Sequence, residues 1–182
     1  MKKIILSLLL FAACGESEFE FSGHHAYFVF DNSQHLNPVL IGSMNAMSPG
    51  IFCRISTAPN NQLAFENNYG QKANSTLNAI DQRRTMQLGV SNSSGIIVGF
   101  GNLNNPAIFY AYDAQCPNCY EEVNIPSFQL AINNEGKATC RRCARAYDLN
   151  NGGIVSKGEG GAKLFRYRAT TTGPSGLLSV NN

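Results

Sequence analysis

A mostly β fold with one short helix, carrying a small metal-binding lobe, is what this sequence predicts. Three observations point there. The composition is weakly charged, with 14% charged against 43% hydrophobic residues, and it holds 17 glycines. Such turn-rich chains suit short strands better than helical bundles. Short apolar or alternating runs recur along the chain, each bounded by Gly, Pro or Asn. Finally, four cysteines stand in the order C-x2-C-x20-C-x2-C, at Cys116, Cys119, Cys140 and Cys143. With 182 residues the chain can bury a core of its own, so these cysteines are not needed merely to fold it.

The chain starts "MKKIILSLLLFAAC". A basic pair (Lys2, Lys3), an apolar run from Ile4 to Phe11, and two alanines before a cysteine form the layout of a secretory signal with a lipobox-like end. The apolar run is well short of the ~20 residues that span a bilayer. This predicts a signal peptide over 1–13, Cys14 as the lipidated first residue, and a tether over 14–22. The protein is then held by a lipid anchor on the membrane of a bacterial cell envelope, at the periplasmic face or the outer surface. A single domain follows over 23–182. Its β base covers about 23–115 with 144–182, and its lobe about 116–143. Without Lys2 and Lys3, twelve basic residues balance twelve acidic ones, so no basic excess draws nucleic acid. No sequence feature names a protein partner.

Taken in order, "HLNPVLIGSMNAM" is the helix candidate. Asn37 suits the cap and Pro38 the first turn; Leu36, Leu40, Met44 and Met47 share one face, and Met44 and Met47 read as core residues. His24, His25 and His35 read as surface residues. Strands are predicted at "GIFCRIS" (50–56), "QLAFEN" (62–67), "GIIVGFG" (95–101) and "AIFYAYD" (107–113). The stretch "KANSTLNAIDQRRTMQLG" suits a helix or a loop. "SFQLAI" and "KATC" pair across "NNEG", with Gly136 at the turn. "RAYDL", "IVS", "KLFRYRATT" and "GLLSV" complete the chain, with a tight turn at Asn151-Gly152.

Cys53, alone in an apolar run, reads as a buried core thiol. The other four are the informative ones. Two residues between thiols let one tight turn aim both sulfurs at one ion, and two such turns complete a tetrahedral shell. Disulfides compete with this reading, because an exported chain meets an oxidising compartment. Redox-active CxxC pairs compete as well, but they want a helix beginning at the first cysteine, and neither segment reads as a long helix. Arg141, Arg142 and Arg145 stand in or beside the second pair, where they can offset thiolate charge. No catalytic motif is present: no Ser-His-Asp set, no HExxH, and no phosphate-cradling glycine loop, since "GFGNLNN" and "SKGEGGAK" read as turns. The protein is not predicted to be an enzyme.

"FYAYDAQCPNC" and "GKATCRRCARAYDLNNGGIVSKGEGGAKLFRYRATTTG" together resemble the Rieske iron–sulfur family, in its strand, first cluster loop, second cluster loop and exit. The resemblance covers about 96–182. It extends upstream to "GIFCRI" in Rieske-like lipoproteins of Bacteroidetes, where all four ligand places are cysteines. It implies a Rieske-like β base with a lobe like a rubredoxin or zinc ribbon. Cys116 and Cys140 match the family's cysteine ligands, Cys143 stands in the place of the second histidine, and Asn118 in that of the first, followed by Cys119. The histidines that raise a Rieske potential are therefore absent.

Four cysteines suit zinc, a single iron or an all-cysteine [2Fe–2S] cluster. A Lys-Lys start without twin arginines suggests export of the unfolded chain, after which zinc can bind without an assembly system. Structural Zn2+ is thus the expected ion, with a [2Fe–2S] or single-iron electron-transfer protein as one alternative and a disulfide-stapled binding module as another. Lipidation is directly testable. Cys14→Ser is expected to abolish labelling by a fatty-acid analogue and to release the protein from membranes; unchanged labelling would refute it.

Overall fold

Three consecutive apolar residues, Ile96, Ile97 and Val98, suit a strand covered on both faces. In the computed structural model, which describes residues 20–182, they open β5 (Ile96–Phe100) and are fully buried. Ile96 and Val98 enter one core and Ile97 enters another. The signal segment 1–13, Cys14 and tether residues 15–19 lie outside the described residues.

The chain runs through β1 (Tyr27–Asp31), α1 (Asn32–His35), α2 (Pro38–Ser43), β2 (Phe52–Ala58), β3 (Gln62–Asn67) and β4 (Lys72–Thr76) before reaching β5. Next come β6 (Phe109–Asp113), α3 (Pro117–Val123), β7 (Leu130–Ile132), β8 (Lys137–Cys140), β9 (Ala146–Asp148) and β10 (Ile154–Lys157). β11 (Arg166–Thr171) and β12 (Leu177–Asn181) close the chain. An eight-stranded antiparallel sheet has the order β1-β12-β11-β6-β5-β2-β3-β4, and a four-stranded sheet the order β10-β9-β8-β7. The class is all-β, as the sequence predicts, with three short helices among the described residues rather than one.

The large sheet curls on itself. Phe30 of β1 and Phe65 of β3 come from opposite ends of the strand order, yet their rings lie 5.4 Å apart. The enclosed core takes Phe28, Phe30, Leu40, Ile55, Leu63, Ile96, Val98, Leu178 and Val180. Strand alternation sends the intervening residues outward. Phe52, Ile97, Tyr110 and Tyr112 therefore form a second core on the other face, where the lobe sits. This second core includes Cys116, Cys119 and Cys140, so three of the four paired cysteines are built into its packing.

The predicted strands match β2, β3, β5 and β6, and "KANST" becomes β4 with only a 3-10 turn at Asp81–Arg83 beyond it. The hairpin of β7 and β8 has the register Leu130↔Cys140, with Gly136 at φ +68 in its turn. β9 and β10 lie past Cys143 and complete the small sheet, which is therefore larger than the hairpin that the spacing predicts.

The predicted helix differs. It is interrupted at Leu36, whose left-handed backbone (φ 46) leaves the side chain 60% exposed. α2 stops at Ser43, so Met44 is buried but Met47 is 89% exposed and not a core residue. Residues Tyr27–Asp31, left unassigned by the sequence reading, form β1 with Phe28 and Phe30 inward. Among the histidines only His25 is exposed. His35 is buried against Asp81, 2.9 Å away, and stacks on Phe30, while His24 packs between Tyr120 and Phe165.

Asn37 caps α2 as predicted, accepting from the N–H groups of Val39 and Leu40 and donating to Ser75 Oγ at 3.0 Å. Removing it orphans buried donors. Asn37→Ala is expected to cost about 1–2 kcal/mol of stability, read by urea unfolding, with metal content unchanged. A loss below the error of the measurement would refute this account of the cap.

Candidate metal centre

The first cysteine pair is carried by the end of β6 and the start of α3. Asp113 is fully buried there and accepts from three donors: the Val90 N–H at 2.7 Å, the Gln115 N–H at 2.8 Å and the Tyr167 hydroxyl at 2.7 Å. Burial pushes its pKa up despite these partners. The chain then turns under the lobe, held by Leu130 N–H to Ala114 O and Cys116 N–H to Phe128 O, both 2.8 Å. Cys116 takes the N-cap place of α3 and Pro117 the first turn, which puts Cys119 one turn further on the same side. A helix does begin at the first cysteine, but it is short. It spans seven residues and ends at Asn124, whose backbone is left-handed.

The second pair sits on the turn between β8 and β9. Cys140 N–H donates to Arg145 O, and Ala144 N–H to Cys140 O, both at 3.0 Å. This tight turn requires Ala144 at φ 57, a left-handed conformation that glycine adopts at lower cost. It brings Cys143 back over Cys140.

The two pairs meet across the lobe. Cys116 Sγ lies 3.7 Å from Cys143 Sγ, and Cys119 Sγ lies 3.7 Å from Cys140 Sγ. All four sulfurs fall within 4.8 Å of one another. Cys116, Cys119 and Cys140 are buried, and Cys143 is half-buried at the edge. The sulfurs stand well beyond the ~2.05 Å of a disulfide bond. This group could hold a metal ion. Cys53 is elsewhere, fully buried in the first core, where desolvation pushes its thiol pKa up strongly.

The thiols differ in acidity. Burial pushes Cys116 up to about 11, against the Tyr147 hydroxyl and the Cys119 N–H that favour its thiolate. Burial and the neighbouring thiols push Cys119 up further. At Cys143, burial is outweighed by the N–H and guanidinium of Arg145 and by the adjacent thiols, and its pKa falls to about 6. Of the three arginines singled out from the sequence, Arg145 is the one that reaches a cysteine. Arg142 turns away to Glu122, 3.1 Å off, and lies over the Phe128 ring. Arg141 is exposed.

Sequence reasoning missed two supporting side chains. Tyr147 OH lies 3.1 Å from Cys116 Sγ and accepts from Asn118 Nδ2 at 2.9 Å, which leaves its own proton for the sulfur. Asn118, between the first two cysteines, also pins the glycine-rich loop after β10. Its Oδ1 accepts from Ala162 N–H at 3.0 Å and its Nδ2 donates to Ala162 O at 2.9 Å. Arg145 holds the same loop through Glu159 O and Gly160 O. Tyr147's inward place was readable from the alternation of "ARAYDL"; its contact with Cys116 was not.

No family model, curated protein or solved structure matches this chain. The site is therefore read from its own geometry. Groups that orient ligands in this way typically contribute about 10–100-fold to metal affinity. Tyr147→Phe is expected to weaken binding by that order, measured by competition with a chromogenic chelator. Unchanged affinity would show that the hydroxyl serves packing alone.

Proposed function

We propose that this is an exported, lipid-anchored protein of the bacterial envelope, with a Rieske-like fold whose four cysteines hold one structural zinc ion. The spacing of the sulfurs carries the metal reading. Four bonds of about 2.3 Å at tetrahedral angles set sulfurs about 3.8 Å apart. The two 3.7 Å pairs, and the 4.8 Å limit on all six, approximate that figure. A [2Fe–2S] cluster would divide the cysteines between two irons. Sulfurs on different irons stand farther apart than sulfurs on one, so the compact set favours a single ion.

A four-thiolate zinc shell has no open position for substrate, so its contribution is to fold and hold the lobe. The Rieske-like reading draws support from the order of elements, in which a strand leads into the first pair, a hairpin into the second, and a strand out. Asn118, in the place of the first histidine, spends its amide on Tyr147 and Ala162. The envelope reading rests on "MKKIILSLLLFAAC". A single tetrahedral iron in an electron-transfer protein is the second reading, favoured by Cys143, the ligand that reaches the surface.

Anaerobic purification followed by elemental analysis decides between them. About one zinc per chain and no visible absorption band are expected. Cys116→Ser, Cys119→Ser, Cys140→Ser and Cys143→Ser should each lose the metal, while Cys53→Ser keeps it. One iron per chain with a visible thiolate band would support the second reading. Two irons with two acid-labile sulfides, or full metal retention in any of the four ligand variants, would overturn the single four-cysteine ion.

A further inference from the structure

A cleft of about 480 Å3 lies beside the metal centre, between the large sheet and the lobe. On the sheet side it is walled by Arg54 and Glu66, which face each other across β2 and β3 as an ion pair. Arg54 is on this side because it alternates with Cys53 and Ile55, which enter the enclosed core. Glu66 has a second cation, Lys72, 3.1 Å away on β4. On the lobe side the wall is Arg141 and Arg142. Between the walls lie Phe128, Leu130, Ile132 and the metal-site residue Cys140.

Positive charge is in excess here. Arg54, Lys72, Arg141 and Arg142 face only two carboxylates, Glu66 and Glu122. Arg142 commits one nitrogen to Glu122, and Arg141 has no bonding partner among the described residues. Each guanidinium carries five N–H donors in a planar fork, so Arg141, and the nitrogens that Arg54 and Arg142 do not give to Glu66 and Glu122, can meet a ligand. The volume falls in the range of small-molecule sites, roughly 300–1,000 Å3.

We propose that this cleft binds a small organic oxyanion. A carboxylate or phosphate head group is held by Arg141, Arg142 and Arg54, and an apolar chain lies along the half-buried Phe128 and Ile132. Guanidinium forks match the planar pairs of oxygens on such head groups, and the apolar strip distinguishes an organic anion from a bare one. The cleft does not depend on which ion the cysteines hold, so this inference and the zinc assignment fail separately.

The test titrates the full metal-loaded protein with octanoate, octyl phosphate, octanol and inorganic phosphate, by calorimetry and by mapping amide shifts. At least one organic anion should saturate and shift the amides of Arg54, Phe128 and Arg141; the better of the two identifies the head group. Octanol and inorganic phosphate should bind about tenfold more weakly or worse. Arg141→Gln with Arg142→Gln should weaken the organic anion about tenfold, and Arg168→Gln, outside the cleft, should leave it unchanged. Metal content is measured on each variant. If the double variant loses metal, Arg141→Gln alone decides, since Arg141 makes no bond on which the lobe depends. The proposal is overturned if neither organic anion saturates, if inorganic phosphate binds as well, or if binding ignores the arginine substitutions.

Discussion

Four sulfur atoms within 4.8 Å of one another set the terms for everything around them. Thiolates at that distance repel, and three of the four are buried where charge is costly. The thiol acidities record the conflict: burial drives Cys116 and Cys119 up, and Cys143 stays low beside Arg145. One guanidinium can answer one thiolate. A cation at the centre would answer all four and would turn mutual repulsion into a link between two distant chain segments.

The surrounding fold brings those two segments together. Cys116 and Cys119 follow a central strand of the large sheet, whereas Cys140 and Cys143 belong to the small sheet. Neither pair is positioned by the other's local structure. Backbone bonds from Cys116 and Leu130, together with the packing of Tyr147 and Asn118, bring the pairs to the same place. The glycine-rich loop after β10 then closes over the site through Asn118 and Arg145. The segment "SKGEGGAK" thus reads as a turn in sequence and acts as a strap in the fold.

What the sequence discloses follows the range of the interactions involved. Strands such as "QLAFEN" match β3 to the residue because alternation is a local pattern. The cysteine constellation is legible for the same reason: its spacing states the geometry. Met47 and Leu36 misread because apolar residues at helical spacing imply a face only if the helix continues, and the backbone breaks it at Leu36 and again after Ser43. His35 misreads because its partner Asp81 is 46 residues away. The partnership of Tyr147 with Cys116, and the cleft between Arg54 and Arg141, likewise join residues that are far apart in the chain.

The second core also bears on how independent the two parts are. Phe52, Ile97, Tyr110 and Tyr112 come from the large sheet; Leu130, Ala138, Tyr147 and three cysteines come from the lobe; they bury one another in a shared core. Burying one large apolar side chain contributes about 1.5–3 kcal/mol. Exposing even two of the four sheet residues would therefore remove a sizeable share of the roughly 5–15 kcal/mol by which domains are stable. An ion that orders the lobe therefore stabilises the sheet as well, through packing rather than through any bond to it. A division into a base and an attached lobe describes the chain's topology, but energetically the sheet's outer face and the lobe are a single unit.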